Sequence, residues 1–406
     1  MALSYADAAK ATRRISSPVQ APSESFDYDF RHLGRYLQVL KSKLRLAVVY
    51  GGDRRTDGAV IRETYNPRPW KSYRAVAEDI QNALVELGFE HVVTLPDDMS
   101  LPQQLKARGI DLVWLNTGGV QGYNPVSHTP AMLEMLGVPY VGQSSLTATI
   151  LDNKHVFKRT LRALGIQTTP SYVWNPSHSP QDPTGDLRFV AAFADYRGPF
   201  ILKPVSGRAS LLVLVAETLE EVSTTARRIY DVTQNGVLIE PFLPGREFCV
   251  SVSGRIIARG GDLIEQAAPF AFSTVERVFG PGESIFTSMD VKPISMDRVR
   301  FVGHDEPTLR HNLIELAQRI YAELELESIV RVDVRADADG RLYVLEANPK
   351  PDLKKPTADV TSLVMCGLSE HGLAYNDLIL GLLADRLNHL FRYNASSVDH
   401  ILAHLR

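Results

Sequence analysis

The stretch I-V-R-V-D-V-R-A-D-A-D-G-R-L-Y-V-L-E-A-N-P-K-P, residues 329–351, reads as a β-hairpin. Val330, Val332 and Val334 alternate with Arg331, Asp333 and Arg335, the period of two that a strand requires. Asp339-Gly340 predicts the turn. On the return strand the same period puts Leu342, Val344, Glu346 and Asn348 on one face. Asp333, Glu346 and Asn348 then converge across neighbouring strands. Two carboxylates and an amide oxygen are hard donors. They suit Mg²⁺, with Mn²⁺ as the alternative, because such an ion keeps some waters and takes further oxygens from phosphates. Arg331 projects from the same face as Asp333 and can balance negative charge developing there. For either strand alone, the solvated face of an ordinary antiparallel sheet accounts for the charges. The full constellation, Arg-x-Asp then Glu-x-Asn across an Asp-Gly turn, points instead to a metal and phosphate site. An EF-hand register over the same residues fails. Arg335 would stand at its first ligand position, and the flanks read as strands.

The chain's 406 residues exceed one ordinary core and predict two or three lobes. A hydrophobic content of 44% and a charged content of 22% are those of a soluble globular protein. A net charge of −3 gives no electrostatic case for nucleic acid or an anionic membrane. Cys249 and Cys366 lie in apolar stretches and read as buried thiols in a reducing compartment. No apolar run approaches a membrane span, and a cytoplasmic location is expected. Residues 1–25 are rich in Ala, Ser and Arg but lack an apolar core, which fits a disordered leader better than a signal or transit peptide.

Residues 30–43 predict a helix with Leu33, Tyr36, Leu37 and Leu40 in one stripe. Strands at 44–50, 91–95 and 112–116 then alternate with helices at 72–87, 101–108 and 129–136, and a short strand follows at 138–142. That alternation indicates an open parallel α/β domain. Residues 53–70 form a long polar insertion. A second lobe begins near residue 147 with a helix over 152–164 that carries Lys154 and Lys158 on one face. Lys203 closes a strand at 199–204, and the small polar loop V-S-G-R-A-S, residues 205–210, follows it. Backbone amides in such a loop can cradle phosphate oxygens beside a lysine. A helix over 219–230 and a strand over 237–243 complete the lobe. The third lobe has strands at 248–252 and 255–259, a mostly irregular stretch at 269–293 placed to close over a site, a helix over 307–324, the hairpin, and an apolar closing helix over 377–390. The division expected is a leader and N-terminal helix at 1–43, partly disordered, a Rossmann-like domain at 44–146, α+β lobes at 147–243 and 244–393, and a peripheral tail at 394–406.

In this order, L-D-N-K-H-V-F-K-R, P-F-I-L-K-P, L-I-E-P-F-L-P-G-R-E-F, R-V-D-V and L-E-A-N-P resemble the ATP-grasp superfamily, within it the D-alanine–D-alanine ligase branch. The resemblance spans residues 44–387. It implies an α/β protein of the ATP-grasp fold, an open parallel α/β domain followed by two α+β lobes that clamp ATP. By the same resemblance Lys154 and Lys203 hold ATP phosphates, and Ser206, Gly207 and Ser210 belong to the loop covering them. Glu240, Pro241, Phe242 and Leu243 form the adenine hinge, and Glu247 meets the ribose. Asp333, Glu346 and Asn348 hold Mg²⁺, and Arg331 stabilises the reacting acyl phosphate and tetrahedral intermediate. The chain is expected to pair as a homodimer.

The departures concern substrate. N-T-G-G-V-Q-G, residues 116–122, stands where the branch has a His-Gly pair. The glutamate that receives the first amino acid's ammonium has no counterpart, and the 53–70 insertion occupies its place. Asp352 replaces a glycine whose amide helps hold the oxyanion, and the tyrosine-bearing sequence of the covering loop is absent from 269–293. Two D-alanines are therefore not the expected pair. Lys350 and Lys354, with Asp352 between them and Lys355 beyond, form a basic cluster expected to face a carboxylate-bearing substrate. The function expected is an ATP- and Mg²⁺-dependent carboxylate–amine ligase acting on small, amino-acid-like molecules. A small-molecule kinase using the same ATP site is the alternative. A non-catalytic nucleotide-binding module is a third reading, disfavoured by Arg331, Asp333, Glu346 and Asn348 standing together.

Overall fold

The computed structural model describes residues 28–51, 72–119, 124–207, 210–280, 282–283, 285, 294–303, 305–357 and 361–406. The leader over 1–25 and the 53–70 insertion lie outside the described residues. Helix α1 (Leu33–Lys41) buries Leu33, Leu37 and Leu40. The first lobe then runs β1 (Arg45–Tyr50), α2 (Arg74–Glu86), β2 (His91–Pro96), α3 (Leu101–Arg108), β3 (Leu112–Asn116), α4 (His128–Leu136) and β4 (Tyr140–Val141). Its four strands are parallel in the order β2-β1-β3-β4. The continuous apolar run of β1 suits a strand covered on both faces.

The central lobe comprises α5 (Ser145–Asp152), α6 (Lys154–Ala163), β5 (Tyr172–Trp174), α7 (Leu187–Phe193), β6 (Phe200–Pro204), β7 (Leu214–Ala216), α8 (Leu219–Thr233) and β8 (Val237–Pro241). Its antiparallel sheet has the order β5-β8-β6-β7, with Trp174, Phe189, Phe193 and Phe200 in the core beneath α7 and α8. The single helix expected over 152–164 is two. Asn153 is extended and caps α6, its side chain accepting from the Val156 amide at 3.1 Å.

The third lobe adds β9 (Glu247–Ser253), β10 (Ile256–Arg259), β11 (Asp262–Glu265), β12 (Phe270–Arg277), β13 (Val299–Phe301), α9 (Pro307–Glu323), β14 (Val330–Ala336), β15 (Leu342–Asn348), α10 (Tyr375–Tyr393) and α11 (Asp399–Leu402). Its main sheet is antiparallel in the order β13-β12-β9-β14-β15. Phe157 and Leu161 of α6 enter the core of this sheet beside Val330, Val332 and Val334. Helix α6 thus belongs physically to both lobes that flank the cleft.

Three expectations need correcting here. Residues 270–277, expected to be irregular, are strand β12. Ser273 in the left-handed region (φ 48°) sits in a bulge between Phe272 and Val275 and interrupts the alternation. On β15 a bulge follows the Asp333–Glu346 pair, because Val334 faces Val344 and leaves Leu345 extra. Leu342, Val344, Glu346 and Asn348 therefore do not share one face. Val344 and Ala347 enter the core, while Leu345 and Glu346 both line the cleft. The tail is not peripheral either. Val398, Ile401 and Leu402 are buried in the core that also holds Leu33, Val48 and Leu387, so both ends of the described chain pack against the first lobe. Among the described residues, no helix is long and apolar enough to cross a membrane.

Candidate active site

Antiparallel strands from two sheets face each other across one cleft. From the central lobe, β6 and β8 carry Lys203 and Glu240–Leu243 to its wall, and the loop after β6 brings Gly207 and Ser210 over it. From the third lobe, β9, β12, β14 and β15 bring Glu247, Arg277, Asp333 and Glu346. Lys154, the first residue of α6, completes the ring. Ile201, Val213, Phe242 and Leu345 give one part of the cleft an apolar lining, as a planar aromatic ring requires.

Asp333 and Glu346 are direct cross-strand partners. Like charges so placed repel unless cations stand between them. The cations are present. Arg331 is bidentate on Asp333 at 2.8 and 2.9 Å, and Arg277 donates to Asp333 Oδ2 at 2.7 Å. Burial alone would raise the Asp333 carboxyl, but Arg277 and Arg331 outweigh it and hold the pKa at about 2. Lys154 Nζ stands 3.1 Å from Glu346 Oε2 and donates to the Gly207 carbonyl at 2.9 Å. Burial pushes Glu346 up, and Lys154 leads the charges that bring it below the usual carboxylate range.

Asn348 lies opposite Arg331, two pairs further along the ladder, and its Oδ1 accepts from the Lys350 amide at 3.0 Å. Among the described residues no three His, Cys, Asp or Glu side chains form a metal cage. The donor set is two carboxylates and one amide oxygen. That fits a hard divalent ion that keeps water and phosphate among its ligands.

Ser206 is part of the loop but not of the cleft wall, and its hydroxyl accepts from Asn235 Nδ2 at 2.8 Å. Of the three residues expected to meet substrate, Asp352 turns its carboxylate to the Lys354 amide at 3.1 Å, and Lys354 is exposed. Lys350 extends its ammonium 3.6 Å from the centroid of the Tyr73 ring, where the third lobe meets the first. Lys355 does not join a substrate-facing cluster. Its amide donates to Asp79 at 3.0 Å, and its ammonium stands 3.7 Å from Glu86, both on α2.

Sequence reasoning missed three groups. Arg277 bridges Glu247 and Asp333, reaching Glu247 Oε1 at 2.5 Å. Arg335 reaches Glu247 Oε2 at 3.2 Å and stacks over the Phe242 ring at 4.9 Å. The third is Lys158, fully buried, with Nζ 2.6 Å from Glu240 Oε1. The alternating F-A-F…V-E-R pattern was the available signal for Arg277, and the Ser273 bulge obscured it. For Lys158 the signal was its place one helical turn after Lys154, between the apolar Phe157 and Leu161.

Strands from two antiparallel sheets closing over lysines, a Gly/Ser loop and paired carboxylates define the ATP-grasp class. A family model described as D-ala D-ala ligase C-terminus matches residues 161–384, more than half of the chain, and the chain belongs to that family of ATP-dependent ligases forming C–N bonds. The D-alanine–D-alanine ligase of Synechococcus sp. strain JA-3-3Ab is 27% identical over 311 residues, 76% of this chain and 86% of its own. An uncharacterised protein, y4sG, of Sinorhizobium fredii is 26% identical over 324 residues, covering 78% of this chain and 88% of that protein. The crystal structure of D-alanine–D-alanine ligase from Bacillus anthracis complexed with ATP shares the fold. Its TM-score is 0.59 at 20% identity, over 85% of this chain and 97% of that one.

Proposed function

We propose that this protein is an ATP- and Mg²⁺-dependent carboxylate–amine ligase that condenses two small, amino-acid-like molecules through an acyl phosphate. The observation that carries the reading is the facing pair Asp333 and Glu346 on the floor of a cleft ringed by Lys154, Lys203, Gly207 and Ser210. ATP would lie with adenine against the apolar wall at Phe242 and Leu243, its ribose toward Glu247 and its phosphates toward Lys154, Lys203, Gly207 and Ser210. Asp333, Glu346 and Asn348 would hold the divalent ion, which neutralises phosphate charge when bound. A carboxylate oxygen attacks the γ-phosphorus, the bond to the β-phosphate oxygen breaks, and ADP leaves. The amine nitrogen then attacks the acyl carbon, loses a proton, and inorganic phosphate departs with its bond to that carbon. Arg331 and Arg277, buried beside Asp333, are placed to offset negative charge at both stages.

Lys350 is the group placed to meet a substrate carboxylate, since it lies just past Asn348 and bridges to Tyr73 of the first lobe. Two residues later, Asp352 stands where the branch has a glycine, which weighs against D-alanine in both positions. Pairing as a homodimer belongs to the same proposal.

The test is an ATP-consumption screen with Mg²⁺, supplying amino acids and small carboxylates singly and in pairs. ADP and phosphate should appear only with a particular pair, together with a product of the condensed mass. ADP formed with one compound that gains the mass of a phosphate would favour the kinase. In the same assay Lys350→Ala should raise KM for the carboxylate about tenfold while leaving KM for ATP alone. An unchanged carboxylate KM would remove Lys350 from the substrate site.

A further inference from the structure

Lys158 is a lysine with no solvent exposure, which is costly unless every hydrogen finds an acceptor. Its ammonium reaches the Thr168 hydroxyl at 2.7 Å, the Thr169 hydroxyl at 3.0 Å and the Val344 carbonyl at 3.3 Å, besides Glu240 Oε1. Glu240 is also buried, and its second oxygen lies 2.7 Å from Lys203 Nζ. The Thr169 hydroxyl donates to Glu240 as well. One carboxylate is thus shared by two lysines. Only one of them, Lys203, lines the cleft.

We infer that Lys158 is a positioning residue of the ATP site: it balances the charge of Glu240 so that Lys203 keeps its own charge for the phosphates. This rests on the reading of the cleft as the ATP site. Lys158, Lys203 and Glu240 together carry a net charge of +1. Without Lys158 the remaining pair is neutral, and Glu240, which already stands 2.7 Å from Lys203, has no second cation to share its charge. In so buried a place the attraction between the two is strong. The wiring reaches the facing lobe too. Val344 accepts from both Lys158 and the Thr168 hydroxyl, and its amide donates to the Gln167 carbonyl at 3.0 Å. Val344 stands two residues before Glu346 on β15, so the contacts that hold Lys158 also fix the strand that carries the carboxylate.

A structural role alone would make the loss of Lys158 indifferent to the charge on Glu240. The charge-balance role makes it conditional, and three variants separate the two: Lys158→Met, Glu240→Gln and the double variant. ATP affinity is read by calorimetry on the full chain with Mg²⁺. Lys158→Met should weaken ATP binding about thirtyfold. The double variant should recover to within about fivefold of wild type, because the carboxylate that captured Lys203 is gone. Should Lys158→Met fail to fold, Lys158→Gln takes its place, keeping a polar group for Thr168 and Thr169 while removing the charge, and it should weaken ATP binding about as much. A double variant as weak as the Lys158 single variant, or a charge-removing Lys158 variant that binds ATP like wild type, would overturn the inference. Wild-type protein that binds no ATP would instead overturn the reading of the cleft.

Discussion

Glu346→Gln is expected to lower turnover at least about a hundredfold while the fold survives. The substitution keeps the shape of the side chain and removes one of the two charges facing each other across β14 and β15. What remains is one carboxylate, Asp333, already engaged by Arg277 and Arg331, and an amide in place of the second. That set attracts a divalent ion poorly, so the phosphate charge would go uncompensated during transfer. The fold should tolerate the change because the Glu346 side chain is about a third exposed (34%) and its partner Lys154 keeps its hydrogen bond to the Gly207 carbonyl. The measurement is kcat against Mg²⁺ concentration, with circular dichroism as the control. A variant of wild-type turnover and wild-type Mg²⁺ dependence would remove Glu346 from the metal site.

The second large effect falls on stability. Arg277→Met should destabilise the protein by roughly 3–5 kcal/mol, the usual consequence of removing one partner from a buried ion pair. Arg277 touches two buried carboxylates, Glu247 at 2.5 Å and Asp333 at 2.7 Å. Arg335 still serves Glu247 and Arg331 still serves Asp333, so neither carboxylate is wholly abandoned. Each nevertheless loses one of two cations in a place that water scarcely reaches. Thermal unfolding with and without Mg²⁺ and ATP checks the account. The apo variant should melt well below wild type, and the ligands should close part of the gap, because a divalent ion supplies positive charge beside Asp333. A melting temperature equal to wild type would show that Arg277 does not balance these carboxylates.

The sequence was legible wherever one period held without interruption. The alternation around Asp333 led to β14, and the strand–helix alternation led to the parallel lobe. Helix α3 and strand β3 fall at the expected boundaries. Legibility failed where the backbone changed phase. The extra Leu345 on β15 puts neighbours in sequence on the same cleft wall, which strict alternation forbids. The bulge at Ser273 is held from outside the strand. Its hydroxyl donates to the Val364 carbonyl at 2.5 Å and accepts from the Gly367 amide at 3.0 Å. Contacts about ninety residues away leave no local trace, so β12 and its Arg277 were missed.

Charge misled in both directions. Lys158 stands in the sequence only as a second lysine on the helix face of Lys154, yet its ammonium is satisfied by residues from three other segments of the chain. Lys355 looked like part of a substrate-facing cluster, yet Asp79 and Glu86 of the first lobe hold it. The short closing segment carries Val398, Ile401 and Leu402 among polar neighbours, too few to announce a core from sequence.

The central claim is tested most directly by the fate of oxygen. Once a substrate pair is identified, the carboxylate partner is supplied with both oxygens as ¹⁸O and the products are weighed. Transfer through an acyl phosphate predicts one ¹⁸O in each released phosphate and one retained in the amide. Phosphate released without label, or both labels kept in a phosphorylated product, would contradict it.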